Sequence, residues 1–124
     1  MNSKASFKHP LDNVKVVDLT SYIAGSYTTS LLADLGARVV KVESPAGDGF
    51  RMMAGSFQGW NRGKRAVIID LTKQEGREAL YRLVREADVV VENYRPGVTK
   101  KLGVDYQTLK EVNPDILYCS VTGY

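Results

Sequence analysis

The chain has 124 residues, of which 44% are hydrophobic and 25% are charged, and its formal net charge is +3. This length suits one domain, and eleven glycines, four prolines and one cysteine exclude collagen-like, low-complexity and disulfide-scaffold proteins. The small net charge argues against a nucleic-acid partner, and no apolar run approaches the ~20 residues that span a bilayer. Residues 1–10 form a polar tail without the apolar stretch of a secretory signal, so a cytoplasmic protein is predicted.

Five short runs rich in valine or isoleucine predict β-strands. In chain order they are residues 14–19, 38–43, 66–70, 89–92 and 116–121. Several are nearly continuous apolar runs, which is typical of strands covered on both faces in a parallel sheet.

Helices are predicted between most of these strands. Residues 26–35 carry leucines at helical spacing. Thr72 and Glu75 match a capping box, and an apolar stripe over residues 79–87 follows them. Asp105 is placed to cap a further short helix.

The alternation of strand and helix predicts an α/β fold, in which residues 11–124 form a Rossmann-like open parallel sheet with flanking helices. No helix follows the fifth strand, which would leave one of its faces bare. The sheet is therefore expected to be incomplete in this chain.

Residues 44–63 interrupt the rhythm with five glycines and a proline among aromatic residues such as Phe50 and Trp60. The segment is predicted to be a long loop without an element of its own. It is either a plain surface connection or a lid that uses its aromatic side chains at a site.

Several common sites are missing from the sequence. The turn after the first strand contains one glycine, Gly25, instead of a dinucleotide fingerprint. Glu43 ends the second strand where an NAD enzyme would bind ribose, so NAD remains an alternative ligand. The single histidine, His9, lies in the tail, and Cys119 is interpreted as a buried core residue, so no metal site or catalytic triad is predicted.

Two clusters of polar and cationic residues flank the predicted strands. Residues 61–65 precede the third strand and either grip phosphates or form a solvated basic turn. Residues 93–97, followed by Lys100 and Lys101, come after the fourth strand. Ligands of open α/β sheets bind outside the carboxyl ends of strands, so this second cluster is either part of a ligand site or a capped loop with an exposed tyrosine.

Six segments, taken in order and at matching spacing, closely resemble the N-terminal part of class III coenzyme A transferases. They are residues 10–20, 32–43, 61–65, 69–71, 91–98 and 113–124. That family includes formyl-CoA:oxalate and carnitine-type CoA-transferases and α-methylacyl-CoA racemase. The resemblance covers nearly everything from Leu11 onward.

The resemblance implies a Rossmann-like domain that binds coenzyme A. The residues that it places in contact with CoA are Ile23, Ala24, Ser44, Ile69, Asp70, Leu71, Thr72, Asn93, Tyr94, Arg95 and Lys101. Most of them also follow the carboxyl ends of the first four strands. Arg95, Lys101 and the helix N-terminus at Thr72 suit the phosphates of CoA, and residues 69–71 suit its adenine.

Three positions depart from the pattern of many family members. Ser44 stands where an arginine is frequent, and Thr72 stands where a lysine is frequent. Ile23 replaces a glutamine of the oxalate-type enzymes, which leaves the acceptor acid open.

The activity that the resemblance implies is transfer of CoA from an acyl-CoA thioester to a carboxylic acid, by a homodimer that uses CoA as substrate and holds no tightly bound cofactor. The family's catalytic aspartate falls beyond Tyr124 by resemblance, so no catalytic residue is assigned among Asp18, Asp34, Asp70, Asp88 and Asp105. Two alternatives are the racemase branch of the family and a non-enzymatic CoA- or nucleotide-binding module from a truncated gene.

Overall fold

A computed structural model describes residues 8–53 and 55–123. The strands are β1 (Lys15–Asp18), β2 (Arg38–Glu43), β3 (Arg65–Ile68), β4 (Val89–Glu92) and β5 (Leu117–Ser120). The helices are α1 (Ala24–Asp34), α2 (Ser56–Asn61), α3 (Gln74–Arg85), α4 (Val98–Leu102) and α5 (Tyr106–Val112), with a 3₁₀ helix at Gly49–Met52. In these parts of the chain, no helix is both long and apolar enough to cross a membrane.

The five strands form one sheet in the order β3-β2-β1-β4-β5, and every neighbouring pair is parallel. This confirms the predicted α/β fold with an open parallel sheet. The order places β1 at the centre, and the chain builds outward from β1 in both directions through crossover connections.

Both faces of the central strands are covered, which explains their continuous apolar runs. On one face the buried residues of β1, β4, α3 and α5 pack together: Val17, Val90, Leu80, Val84 and Leu109. On the other face, α1 covers Val16, Val39 and Val91. Successive valines of one strand therefore enter opposite cores, as the two-residue period of a strand requires.

The predicted capping box at the start of α3 is wrong, although the apolar stripe of that helix is confirmed by the burial of Leu80 and Val84. Lys73 is the residue before the helix, and no side chain caps it. The Thr72 hydroxyl donates instead to Asp70 Oδ1 at 2.6 Å. Asp70 lies two residues upstream, and such local side-chain bonds compete with capping.

The cap predicted at Asp105 is confirmed, because its carboxylate accepts a hydrogen bond from the amide of Thr108 at the start of α5. The same carboxylate accepts the Thr108 hydroxyl at 2.7 Å. The first of these bonds satisfies an otherwise orphaned amide in the first turn of the helix.

The prediction that residues 44–63 form a loop without secondary structure is wrong. This segment contains the 3₁₀ helix and α2. The Asp48 side chain accepts from the amide of Phe50 and thereby starts the 3₁₀ helix. Trp60 of α2 packs edge-on against Tyr27 of α1, with ring centroids 5.7 Å apart. The helices of this segment are too short to show a periodic pattern in the sequence.

Cys119 was expected to be a buried core residue and is exposed. It lies on β5, an edge strand, where the neighbouring Leu117 is 66% exposed. Cys119 pairs in register with Val91, so it shares the α1 face of the sheet, which α1 covers only near the centre.

Candidate functional site

The loops that follow four parallel strands meet at one edge of the sheet. We call this edge the carboxyl rim and define it as residues 19–24 after β1, Ser44 after β2, residues 69–72 after β3 and residues 93–95 after β4. Ten of the eleven residues predicted to contact CoA belong to it. The eleventh, Lys101, lies further along in α4.

Asn93 joins two loops of the carboxyl rim. Its Nδ2 donates to the carbonyl of Ser21 at 2.7 Å, and its Oδ1 accepts from the amide of Ser21 at 3.0 Å. A Cβ added at Gly25 would lie 2.5 Å from Thr20 Cβ and 3.2 Å from Asn93 Cγ, so the close approach needs glycine there. The start of α1 is thereby held beside the residues that follow β4.

The loops after β2 and β3 are also adjacent, because the amide of Ile69 donates to the carbonyl of Glu43 at 2.9 Å. Ile69 and Leu71 are only 8% and 7% exposed and belong to the core. The side chains of these two residues, which were expected to suit adenine, therefore leave little open apolar surface. Asp70 and Thr72 are more exposed, and hydrogen bonds from the Thr72 hydroxyl and amide lower the pKa of Asp70 below its ordinary value.

Two exposed cations, Arg95 and Lys101, follow β4. Neither forms an ion pair with a carboxylate in residues 8–53 and 55–123. Free guanidinium and ammonium groups at this edge can bind phosphate oxygens.

The helix N-terminus best suited to an anion is that of α1 rather than the one at Thr72. The first turn of α1 contains no acidic residue, and Ile23 before it offers no capping side chain. The first turn of α3 already holds Glu75, whose carboxylate interacts with the positive end of that helix. The uncapped amides at the start of α1, next to Ile23 and Ala24, are therefore the ones best placed to bind an anion.

Tyr22 was missed by the sequence analysis. Its φ of 62° lies in the left-handed region, which is costly for a tyrosine, and its ring packs edge-on against Phe50 at 5.4 Å. A Cβ at Gly49 would lie 2.7 Å from the Tyr22 hydroxyl oxygen. The loop after β1 is thus fitted against the 3₁₀ helix immediately before Ile23.

Lys64, in the basic segment at residues 61–65, is not available to bind a phosphate, because its ammonium group is bonded within the chain. Lys64 Nζ lies 2.9 Å from Asp18 Oδ2 and also donates to the carbonyl of Ser26 and to Asn61 Oδ1. Its side chain is 2% exposed, so a solvated basic turn is equally wrong for this residue. Burial lowers the pKa of Lys64, and the charge of Asp18 opposes that shift.

Lys41 is a second buried cation, and the sequence analysis gave it no role. Its Nζ donates to the carbonyl of Thr20 at 2.7 Å and lies 3.1 Å from Asp48 Oδ2. The side chains of Lys41 and Asp48 are each 1% exposed. A lone lysine among the valines of an apolar strand is the signal that a buried partner must exist. Lys41 links the loop after β1 to the start of the 3₁₀ helix.

The carboxylate of Glu43 is paired with an arginine, and this pairing disfavours Glu43 as a ligand of the ribose of NAD. Arg51 makes two hydrogen bonds of 2.6 Å to its two carboxylate oxygens, and the amide of Asp48 donates to it at 3.1 Å. The Glu43 side chain is 2% exposed. The hydrogen bonds from Arg51 lower the pKa of Glu43 below its ordinary value.

The five aspartates considered for catalysis all form hydrogen bonds or ion pairs with other groups of the chain. Their partners are Lys64 for Asp18, Arg62 for Asp34, Thr72 for Asp70, the amide of Lys15 for Asp88, and Thr108 for Asp105. A nucleophilic carboxylate needs an accessible, unpaired oxygen aimed at the substrate. The geometry gives no reason to assign any of the five to catalysis.

Comparison with known proteins identifies the family. The model of CoA-transferase family III matches residues 11–124, and the chain belongs to this family. The succinyl-CoA:mesaconate CoA-transferase of Haloarcula hispanica is 48% identical over 92% of this chain, and the succinate–glutarate CoA-transferase of Agrobacterium fabrum is 38% identical over 100% of it. These matches cover 32% and 35% of the two relatives.

Among solved structures, a CAIB/BAIF family protein from Brucella suis matches with a TM-score of 0.89 and 45% identity, over 94% of this chain and 34% of that one. The chain therefore spans about a third of the length of the relatives it matches. The family predicted from the ordered segments is confirmed.

Proposed function

We propose that this chain supplies the CoA-binding crevice of an enzyme that moves CoA between an acyl-CoA thioester and a carboxylic acid. CoA and acyl-CoA are substrates in this proposal and not tightly held cofactors. The relatives described above are CoA-transferases by name. The observation that carries the proposal is the double hydrogen bond between Asn93 and Ser21, which sets the start of α1 beside Arg95.

The phosphates of CoA find two kinds of partner on the carboxyl rim. The uncapped amides at the start of α1 suit the pyrophosphate, because backbone donors and the helix dipole both favour an anion there. Arg95 adds a charged group on the neighbouring loop, and Lys101 is assigned to the ribose phosphate. Ser44 lies between these groups and the loop after β3.

Adenine is assigned to residues 69–72. Because the side chains of Ile69 and Leu71 are buried, recognition there relies on the backbone and on Thr72. The exposed Thr72 hydroxyl is already bonded to Asp70, which fixes the shape of this turn. Tyr94 is half-buried beside Asn93, and burial raises the pKa of its phenol, so the phenol remains protonated near neutral pH.

The nucleophile of the transfer is proposed to lie in the part of the family enzyme outside residues 11–124. In the transfer a carboxylate attacks the thioester carbonyl, the C–S bond breaks, and the CoA thiolate leaves an acyl anhydride on the enzyme. The CoA thiolate then attacks the enzyme's own carbonyl of this anhydride, so that the donor acid leaves as a carboxylate and an enzyme thioester forms. The acceptor carboxylate attacks that thioester and the thiolate leaves again. The thiolate finally attacks the acceptor's carbonyl in the new anhydride, which yields the product thioester and restores the enzyme carboxylate. Since the five aspartates considered above are all engaged by other groups, this chain alone is expected to show no acyl transfer.

The homodimer and the cytoplasmic location expected from the resemblance and the sequence are retained as parts of the proposal. Size-exclusion chromatography with light scattering tests the dimer on the full-length enzyme, and cell fractionation tests the location.

Isothermal titration calorimetry with CoA, dephospho-CoA and pantetheine tests the crevice. Arg95→Gln should weaken CoA about tenfold, because it removes a charge-assisted contact. Lys101→Gln should abolish the preference for CoA over dephospho-CoA. Arg85→Gln, at the far end of α3, is the matched control and should leave affinity unchanged. No heat with CoA, or equal affinities in all variants, would contradict the proposal.

A further inference from the structure

A groove of about 610 Å³ lies at the edge of the sheet opposite the carboxyl rim. It is lined by the first residues of three strands, Lys15, Arg38 and Arg65, and by the last turns of α3. Val17 and Val40 contribute apolar surface, as do Leu83 of α3 and Ala87, which lies two residues beyond that helix. We call this feature the amino-edge groove.

Cations stand side by side along the amino-edge groove. Lys15 pairs directly with Arg38 in the register of β1 and β2, and Val40 pairs with Arg65 in that of β2 and β3. Residues paired in register face the same side, and so do residues two apart, so the three cations share one face with Val40. Like charges placed opposite one another destabilise a sheet.

The charge of this row is only partly compensated. Lys15 Nζ lies 3.4 Å from Oε2 of Glu86, the residue that directly follows α3. In residues 8–53 and 55–123, no carboxylate lies within ion-pair distance of Arg38, Arg65 or Arg82. The groove therefore presents three uncompensated guanidinium groups at the margin of an apolar surface.

The sheet under the groove is incompletely covered. Val17 and Val90 lie beneath α3 and α5 and are 3% and 0% exposed, whereas Val40 and Val67 of β2 and β3 are only half-buried. The strands of parallel sheets are normally covered on both faces, usually by helices. An additional helix lying alongside α3 would complete this layer.

We propose that the amino-edge groove is a docking surface for an acidic amphipathic helix, carried by the part of the longer family enzymes that lies outside residues 11–124. Its apolar stripe covers Val40 and Leu83, and its carboxylates pair with Arg38, Arg65 and Arg82. About two thirds of the Haloarcula hispanica relative lies outside the match, so ample chain exists to supply such a helix. The groove faces away from the carboxyl rim, so this inference is independent of CoA binding.

Fluorescence anisotropy with overlapping labelled peptides tests the proposal. The peptides span the part of the Brucella suis protein outside its match to this chain, and the binding partner is the whole chain. We expect at least one peptide with apolar residues at helical spacing and two or more carboxylates to bind and to become helical by circular dichroism. Replacing its carboxylates by amides should weaken binding at least about tenfold.

The double variant Arg38→Glu/Arg65→Glu should lose the same affinity, while the matched double variant Lys100→Glu/Lys110→Glu should bind as the unchanged chain does. Thermal melts confirm that both variants fold. Calorimetry with CoA should give equal affinities for the groove variant and the unchanged chain, which separates this proposal from the crevice. The proposal is overturned if no peptide binds or if the groove variant binds the peptide normally. It is also overturned if pyrophosphate displaces the peptide. Self-association of the chain that Arg38→Glu/Arg65→Glu abolishes would overturn it too, because the groove would then bind a second copy.

Discussion

The side-chain amide of Asn93 bonds to both the amide and the carbonyl of Ser21, which precedes it by 72 positions. The side chain thus makes the same pair of hydrogen bonds that a neighbouring backbone segment would make. These bonds hold the loop after β4 against the loop after β1. Asn93→Asp keeps the acceptor but replaces the donor by a second oxygen facing the Ser21 carbonyl. We expect a loss of about 1–3 kcal/mol in the free energy of unfolding, measured in urea.

The control for that variant is Asn13→Asp, which makes the same change at an exposed position and should alter the free energy of unfolding little. If Asn93→Asp were as stable as the control, the two loops would be held by other contacts.

The buried pair of Lys64 and Asp18 predicts a strong asymmetry between single and double substitutions. Lys64→Met leaves the Asp18 carboxylate buried without its cation and should cost about 3–5 kcal/mol. The double variant Asp18→Asn/Lys64→Met removes both charges and should recover a large part of that loss. Chemical denaturation measures the cycle, and additive effects of the two substitutions would contradict the coupling.

The ion pair of Glu43 with Arg51 predicts how stability depends on pH. Because the pKa of Glu43 in the folded chain is below its ordinary value of 4.5, the unfolded chain binds more protons in this range. The pair's contribution is therefore fully present above the unfolded pKa and disappears as the pH falls through the folded pKa. The Arg51 side chain is 45% exposed, so solvent weakens the pair.

Glu43→Gln should be less stable than the unchanged chain at pH 7, and the difference should shrink as the pH falls below about 4.5. Urea titrations at a series of pH values measure it. A difference that is constant with pH would mean that the glutamate acts through packing and not through its charge.

Two helical glycines should respond in opposite directions to alanine. A Cβ at Gly76 would lie 1.9 Å from the carbonyl oxygen of Asp70, so Gly76→Ala forces α3 away from the turn at residues 70–72 and destabilises the chain. Gly59 in α2 has open space around it, and Gly59→Ala should stabilise by about 0.5–1 kcal/mol through helix propensity. Equal responses in thermal melts would mean that α3 does not pack as closely as described.

Cys119 should react rapidly with a thiol reagent in the native chain. Its exposure on the edge strand β5 predicts a labelling rate close to that of a free thiol in the absence of denaturant. Labelling that required denaturant would place this strand inside a larger assembly.

The sequence predicted the elements whose signals are long and repeated. The valine runs gave all five strands within a few residues, and the stripe containing Leu80 and Val84 gave α3. The short helices α2 and α4 were missed, because neither is long enough to show a helical period. Burial on β5 was wrong because strand order, which makes β5 an edge, is a tertiary property.

For the site, the sequence located the loops but not their internal bonding. The position of Asn93 after a strand was sufficient to place it on the carboxyl rim. The partner of Lys64 is Asp18, 46 positions away, and no local pattern reports such a pair. The left-handed backbone of Tyr22 likewise follows from its packing against the 3₁₀ helix.

Chemical-shift mapping of the isotope-labelled chain during titration with CoA addresses the crevice most directly. Saturable shifts should concentrate at Ile23, Ser44, Thr72, Asn93 and Arg95, while Arg38 and Arg65 at the other edge remain unchanged. Shifts confined to the amino-edge groove, or an unaltered spectrum at saturating CoA, would show that CoA does not bind at the carboxyl rim.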